Sequence, residues 1–163
     1  MANLIVSDLV VASGKQYAIQ PGGFVPGAQQ YVDRDYTFDY IPEIALGHTY
    51  IRTAGNDKMI DENDLCLSFR VNTPVTVFVV YADKLRALPC WLQDFRDTRE
   101  KVTRTDSNTS TLKGIFTLFA KDFDPGIIAL NGNLSRTMAG DSAFRSSGMG
   151  YCMYTVVVKE GAV

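Results

Sequence analysis

Apolar and polar residues alternate along much of this chain with a period of two, which is the pattern typical of β-strands. Between residues 65 and 71, the apolar Leu67 and Phe69 alternate with the polar Ser68 and Arg70, which predicts a strand with one face on a core. Residues 75–81 are apolar at almost every position. We therefore expect a central strand there that is covered on both faces.

Six further segments are rich in β-branched or aromatic residues and are predicted as strands: residues 4–11, 31–40, 49–53, 115–120, 127–130 and 151–158. No window of a dozen residues shows a helical stripe, and the best helical candidate, residues 92–98, is predicted as about one turn. Many short strands with closely spaced turns predict an all-β fold. We expect an antiparallel β-sandwich of the jelly-roll or immunoglobulin-like kind, with a closed barrel as the alternative.

Composition adds limits on domains and partners. A length of 163 residues fits a single domain, so residues 1–163 are expected to share one core. The net charge of -2 gives no excess of positive charge to attract a phosphate backbone, so nucleic acid is not an expected partner. No signal peptide is visible, and the apolar run at residues 77–81 is too short to insert into a membrane. The polar residues 103–111 predict an exposed loop.

The cysteines and the single histidine offer little catalytic chemistry. Cys66, Cys90 and Cys152 are odd in number and widely spaced, which predicts buried thiols, with one disulfide and one spare thiol as the alternative. His48 precedes a predicted strand, and no serine occupies a strand-to-helix elbow, so we predict a turn histidine rather than a catalytic one. The sequence therefore predicts that the protein is not an enzyme.

Residues 56–64 concentrate oxygen-bearing side chains. Oxygen ligands suit calcium rather than a transition metal, so Asn56, Asp57, Asp61 and Asp64 are candidate calcium ligands, with Glu62 and Asn63 between them. The spacing is not that of an EF-hand loop. A solvated connection between two strands would use the same residue types, because Asn and Asp favour turns. A calcium site and a plain turn both stay open.

A second candidate site contains the only tryptophan. Trp91 follows Pro89 and Cys90 in a predicted loop, close in sequence to Asp83, Lys84 and Arg86. An exposed ring can stack on the apolar face of a sugar while neighbouring charged groups hydrogen-bond its hydroxyls, so these four residues form a candidate glycan site. The alternative is that Trp91 plugs the core.

Aromatic residues also crowd residues 31–40. If this segment is one strand, Tyr36, Phe38 and Tyr40 share a face with Arg34. Packing in the core is the expected role of such a stripe.

Several segments in a common order resemble non-catalytic β-sandwich modules that are attached to polysaccharide-active proteins secreted or displayed by bacteria. The matching segments include residues 31–38, 50–54, 56–58, 75–79, 121–123, 131–133 and 153–158, together with Pro89, Trp91, Leu92 and Phe95. The resemblance implies a β-sandwich without catalytic activity. This chain departs from the family pattern at residues 54–58 and 81–84, where a ligand would be expected.

Two functions follow as hypotheses. The first is a surface recognition module for adhesion or carbohydrate binding, with a glycan or polysaccharide as partner and a location outside the cell or on a particle surface. The second is a structural subunit that assembles into an extracellular filament, a sheath or a virus or phage coat. Its link would be the apolar N-terminal strand, residues 4–11, which could complete a neighbour's sheet or pair within its own.

Overall fold

The structure is a computed structural model that describes residues 3–85, 87–106, 112–136 and 152–161. Within these ranges the regular elements are strands and two short 3₁₀ helices, and no helix is long and apolar enough to cross a bilayer. The strands are β1 (Val6–Val11), β2 (Ala18–Gln20), β3 (Tyr36–Phe38), β4 (Thr49–Arg52), β5 (Leu65–Val71), β6 (Val75–Ala82), β7 (Arg96–Asp106), β8 (Leu112–Phe123), β9 (Gly126–Asn131) and β10 (Thr155–Glu160), and the 3₁₀ helices are Gly55–Met59 and Cys90–Asp94.

The strands form two antiparallel sheets that pack together as a β-sandwich, which confirms the predicted fold class. The large sheet has the order β2-β4-β10-β6-β8-β7-β3, and the small sheet has the order β1-β5-β9. Every ladder between these strands is antiparallel.

β6 lies inside the large sheet and is buried along nearly its whole length, with only Thr76 partly exposed. It pairs with β10 from Val75 to Val80 and with β8 from Val75 to Ala82. Each buried Val or Phe side chain contributes about 1.5–3 kcal/mol relative to an exposed one. The prediction of a central strand covered on both faces is confirmed.

The small sheet shows the alternation that its sequence predicts. Leu67 and Phe69 of β5 are fully buried, and Ile128 of β9 is buried while Ile127 is 66% exposed. β9 follows β8 after a two-residue connection, yet the two strands belong to different sheets. The chain changes sheets at Gly126, which has a φ of 137°. Glycine adopts this backbone conformation readily, whereas a residue with a side chain would be strained there.

The N-terminal strand pairs within its own chain. β1 pairs with β5, with Val6 opposite Val71 and Val11 opposite Leu67. Val6 and Val11 are partly buried and pack against the core. In this structure β1 therefore completes its own sheet, which is one of the two arrangements that the sequence left open.

Two segment predictions need correction, and one strand, β7, was not predicted. Residues 92–98 are not one helical turn, since the 3₁₀ helix ends at Asp94 and β7 begins at Arg96. Residues 103–106 were predicted as a loop but belong to β7, whereas residues 107–111 lie outside the described residues. β7 escaped prediction because Val102 is its single apolar residue, so the sequence carries no alternation there.

The aromatic segment and the cysteines also differ in part from expectation. Only residues 36–38 of the predicted strand 31–40 form β3, so Tyr40 is 57% exposed although Phe38 is buried. All three cysteines are free, and Cys66 and Cys152 are buried as predicted. Cys90 is exposed because it begins a 3₁₀ helix at the surface. Residue 151 of the last predicted strand lies outside the described residues.

A buried polar cluster ties the segment after β1 to the first 3₁₀ helix. The carboxylate of Asp57, only 3% exposed, accepts hydrogen bonds from the hydroxyls of Ser13 and Tyr17 and pairs with Lys15 at 2.9 Å. Burial raises the pKa of Tyr17 and of Cys66, whose thiol lies 3.6 Å from the Tyr17 hydroxyl. Both groups therefore stay protonated, and Asp57 carries the negative charge.

The Asp57 cluster predicts an acid-sensitive contribution to stability. Burial alone would raise the pKa of Asp57, but hydrogen bonds from Tyr17, Lys15 and Ser13 outweigh it and hold the pKa below its ordinary value of 3.8. This stabilisation is present above pH 3.8 and is lost as the pH falls through the lowered pKa. Asp57→Asn should lower the free energy of unfolding at neutral pH by about 2 kcal/mol.

Urea unfolding of the wild-type protein and of Asp57→Asn at neutral and acidic pH measures the free energy of unfolding of each and its dependence on pH. The difference in free energy of unfolding between the wild-type protein and Asp57→Asn should shrink as the pH is lowered. Asp64→Asn is the matched control, because Asp64 is exposed in the same acidic segment. Equal stability of the two variants at neutral pH would contradict the prediction.

Candidate functional site

A charged network crosses three adjacent elements of the large sheet at the end of β6. Lys101 of β7 donates to Asp83 Oδ2 at 2.7 Å and to Thr117 Oγ1 at 2.7 Å. Thr117 of β8 in turn donates to Asp83 Oδ1 at 2.5 Å. Antiparallel pairing places Lys101 opposite Thr117 and Thr117 opposite Tyr81. The network holds the Asp83 carboxylate in one orientation just after the strand ends.

Asp83 stands at the rim of a cavity of about 340 Å³, which we name the Asp83 cavity. Lys84 and Ile115 are exposed at the same rim, and Ala82, Gly114, Phe116 and Cys152 complete the lining. Behind the lining, the buried Arg104 guanidinium donates from Nη2 to Cys152 Sγ at 3.3 Å. An apolar interior with a few charged groups at the edge is the usual composition of a small-molecule site, and this volume lies within the usual range.

Trp91 is a packed, half-buried side chain outside the lining of the Asp83 cavity. Its ring meets those of Tyr154 and Phe95 edge-on, with centroids 5.4 Å and 5.9 Å away. Its Nε1 donates to the Gly132 carbonyl at 2.9 Å. A Cβ at Gly132 would come within 2.2 Å of the Ile60 carbonyl oxygen, so glycine is required for this turn to approach so closely.

The acidic segment and the tryptophan loop, which the sequence treats as separate sites, contact each other. Glu62 is buried, and its Oε1 accepts a hydrogen bond from the Cys90 backbone N–H at 2.7 Å. Its Oε2 accepts from the Arg136 backbone N–H at 3.1 Å. Glu62 thus joins the segment after the first 3₁₀ helix to the start of the second. No sequence motif signals this role, because the partners are backbone groups distant in the chain.

The four predicted calcium ligands do not form a common cage. Asp64 is exposed, and the other three have partners within the chain: Arg34 for Asn56 at 2.6 Å, Lys15 for Asp57 at 2.9 Å and Arg136 for Asp61 at 3.3 Å. In the ranges that the structure describes, no three His, Cys, Asp or Glu side chains are placed to hold one metal ion. These contacts support the turn interpretation, and calcium stays a prediction from residue types.

The predicted glycan residues are thus divided between two places. Asp83 and Lys84 lie together at the Asp83 cavity, whereas Trp91 packs against the core and Arg86 lies outside the described residues. Sequence reasoning missed Ile115, because its position at the start of the predicted strand 115–120 does not show that the side chain is 45% exposed. It also missed Lys101, because β7 was not recognised as a strand, and with it the contact that Lys101 makes with Thr117 of β8.

His48 lies half-buried in the turn before β4. Burial lowers its pKa, and the nearby Lys159 ammonium lowers it further, so the imidazole is neutral at physiological pH.

Comparison with known proteins identifies the fold alone. No family model and no curated protein matches this sequence. Among solved structures, a β-glucuronidase from glycoside hydrolase family 2 matches with a TM-score of 0.72 and 19% identity, over 96% of this chain and 15% of that chain. A GH138 enzyme targeting pectin rhamnogalacturonan II matches with a TM-score of 0.53 and 15% identity, over 96% of this chain and 17% of that chain. The chain therefore corresponds in length to about one sixth of each enzyme.

The packing of Trp91 predicts a structural cost on its removal. Trp91→Ala should lower the free energy of unfolding by about 3 kcal/mol, because the contacts with Tyr154 and Phe95 are lost. Trp91→Phe should cost about 1 kcal/mol, since it keeps a ring and loses the hydrogen bond to Gly132.

Urea unfolding followed by circular dichroism measures these differences. Tyr40→Ala is the control, because that ring is 57% exposed. A Trp91→Ala variant within about 0.5 kcal/mol of the wild-type protein would contradict the structural role.

Proposed function

We propose that this chain is a non-catalytic recognition module that binds a polysaccharide at the Asp83 cavity and is displayed outside the cell or on a particle surface. The observation that carries the proposal is the composition of that cavity, an apolar wall with an oriented carboxylate at its rim. Ile115, which is 45% exposed, offers apolar surface to a sugar ring. Asp83 and Lys84 offer an acceptor and donors to its hydroxyls.

Two further observations support a carbohydrate-related, non-catalytic role. Two solved structures that share this fold are carbohydrate-active enzymes, and the chain matches only a small part of each. A fold shared at this level does not carry a site, so the ligand class rests on the cavity as well. The single histidine also stands in a turn rather than at the Asp83 cavity, which favours binding over acid–base catalysis.

The binding proposal predicts that Ile115→Ala weakens polysaccharide binding about ten-fold, because part of the apolar wall is removed. Asp83→Asn should weaken binding as well, since the negative charge on the acceptor is lost. Affinity electrophoresis in gels that contain galactomannan, xyloglucan, arabinoxylan or polygalacturonate measures the retention of each protein.

Ile127→Ala is the matched control, because it shortens an exposed isoleucine of the small sheet, 66% exposed. Equal retention of the Ile115→Ala, Ile127→Ala and wild-type proteins would refute the assigned site. Absence of retention in all four polysaccharides would count against polysaccharide binding itself.

The alternative function is self-assembly into a filament, sheath or coat, and one feature favours it. Within the described chain, β1 and β9 are the edge strands of the small sheet, and Val10 and Ile127 are 55% and 66% exposed on them. Edge strands with exposed apolar side chains are ready templates for pairing with another copy.

For this alternative, sedimentation velocity of the wild-type protein should give oligomers that grow with concentration. Val10→Lys should sediment as a folded monomer, because the charge opposes pairing at the edge of β1. A wild-type protein that is monomeric at every concentration would exclude this route.

A further inference from the structure

A second cavity, of about 370 Å³, lies at the other end of β6 from the Asp83 cavity, and we name it the Asp122 cavity. Seven residues of extended strand separate Thr76 from Asp83, or about 23 Å, so the two cavities are distinct surfaces. Its lining includes Thr76 of β6, Arg96 of β7, Asp122 and Phe123 of β8, and Asp124.

The polar groups of the Asp122 cavity are oriented by one another. Thr76 Oγ1 donates to Asp122 Oδ1 at 2.7 Å, and Arg96 Nη2 lies 3.7 Å from the same oxygen. The side chains of Arg96 and Asp122 are 60% and 70% exposed, so they contact solvent as well as each other. A guanidinium has five N–H donors and a carboxylate about four acceptor positions, so both retain capacity to bind a ligand.

The apolar residues of the lining are Pro74, Val75 and the half-buried Phe123. Phe123 packs against Phe95 with ring centroids 6.2 Å apart, and Phe95 packs against Trp91 at 5.9 Å. The Lys121 ammonium lies 5.4 Å from the centre of the Phe123 ring and 5.7 Å from that of Phe95. This row of rings extends from the packed Trp91 to the cavity. The ring contacts hold Phe123 in place next to Asp122.

The charges around the Asp122 cavity are balanced. Arg96 lines the cavity together with Asp122 and Asp124, and the Lys121 ammonium, 5.4 Å from the centre of the Phe123 ring, adds a second positive charge beside the lining. A strongly anionic or cationic ligand would meet repulsion from one of these pairs. A neutral ligand with several hydroxyl groups can use both the donors and the acceptors.

We propose that the Asp122 cavity is a second binding site for a neutral, hydroxyl-rich ligand, namely a sugar unit of an uncharged polysaccharide. Arg96, Thr76 and Asp122 hydrogen-bond the hydroxyls, and Phe123 packs against the apolar face of the sugar ring. The ligand class rests on the proposed function, whereas the site shares no residue with the Asp83 cavity. Two separate sites on one chain raise its avidity for a long or immobilised polysaccharide.

An NMR titration of the full ¹⁵N-labelled chain tests each site separately. The probes are cellohexaose, xylohexaose and mannohexaose, with hexagalacturonic acid as the anionic comparison. At least one neutral probe should shift the backbone amides of Thr76, Asp122 and Asp124. In Arg96→Ala, the affinity read from these amides should fall about ten-fold, while shifts at Asp83 and Lys84 stay unchanged. Arg70→Ala is the matched control, because Arg70 forms a comparable exposed ion pair with Asp8 in the small sheet.

The outcomes separate this inference from the proposed function. Shifts confined to Asp83 and Lys84 would overturn the second site and leave the proposed function standing. Shifts at Thr76, Asp122 and Asp124 alone would support the second site and overturn the assignment of the first. Shifts at the Asp122 cavity with hexagalacturonic acid but with no neutral probe would overturn the ligand class. No shift at either site with any of the probes would overturn both.

Discussion

β6 is buried on both faces, and the other layers of the molecule are arranged around it. Its ladders to β10 and β8 run nearly its full length, so its backbone hydrogen bonds are made within the sheet. Apolar side chains on both faces of β6 are buried, so water does not reach the middle of the strand. Polar and charged side chains near β6 are consequently concentrated at its two ends, where Asp83 follows the strand and Thr76 lies beside Asp122.

The connections between strands are held by buried polar groups rather than by regular secondary structure. Asp57 ties the segment after β1 to the first 3₁₀ helix, and Glu62 ties the following segment to the second. The Tyr31 hydroxyl donates to the Met153 carbonyl at 2.6 Å and accepts from Arg104. Such groups are costly to bury without partners, so each makes one arrangement of its connection more stable than the others.

The need of a buried polar group for a partner also explains why Trp91 and Asp83 have different roles although they are close in sequence. Trp91 is amphipathic, and its N–H finds the Gly132 carbonyl while its ring packs on Tyr154, so the side chain stabilises the loop that carries it. Asp83 is bound by Lys101 and Thr117 at the surface, where part of its carboxylate stays accessible. The two proposed binding sites therefore lie at the ends of β6, and the tryptophan loop supports one of them through Phe95 and Phe123.

Periodicity along the chain was enough to predict the sandwich class and the position of strands such as β5 and β6, because the spacing of apolar residues records how many faces are buried. It could not reveal β7, whose side chains are almost all polar, since that strand is specified by its ladder to β8. Tertiary structure alone decided which group each charged side chain contacts. Asp83 with Lys101, Glu62 with Cys90 and Thr76 with Asp122 are 18, 28 and 46 positions apart in the chain. Contacts at such separations depend on strand order and register, which local patterns in a single sequence do not encode.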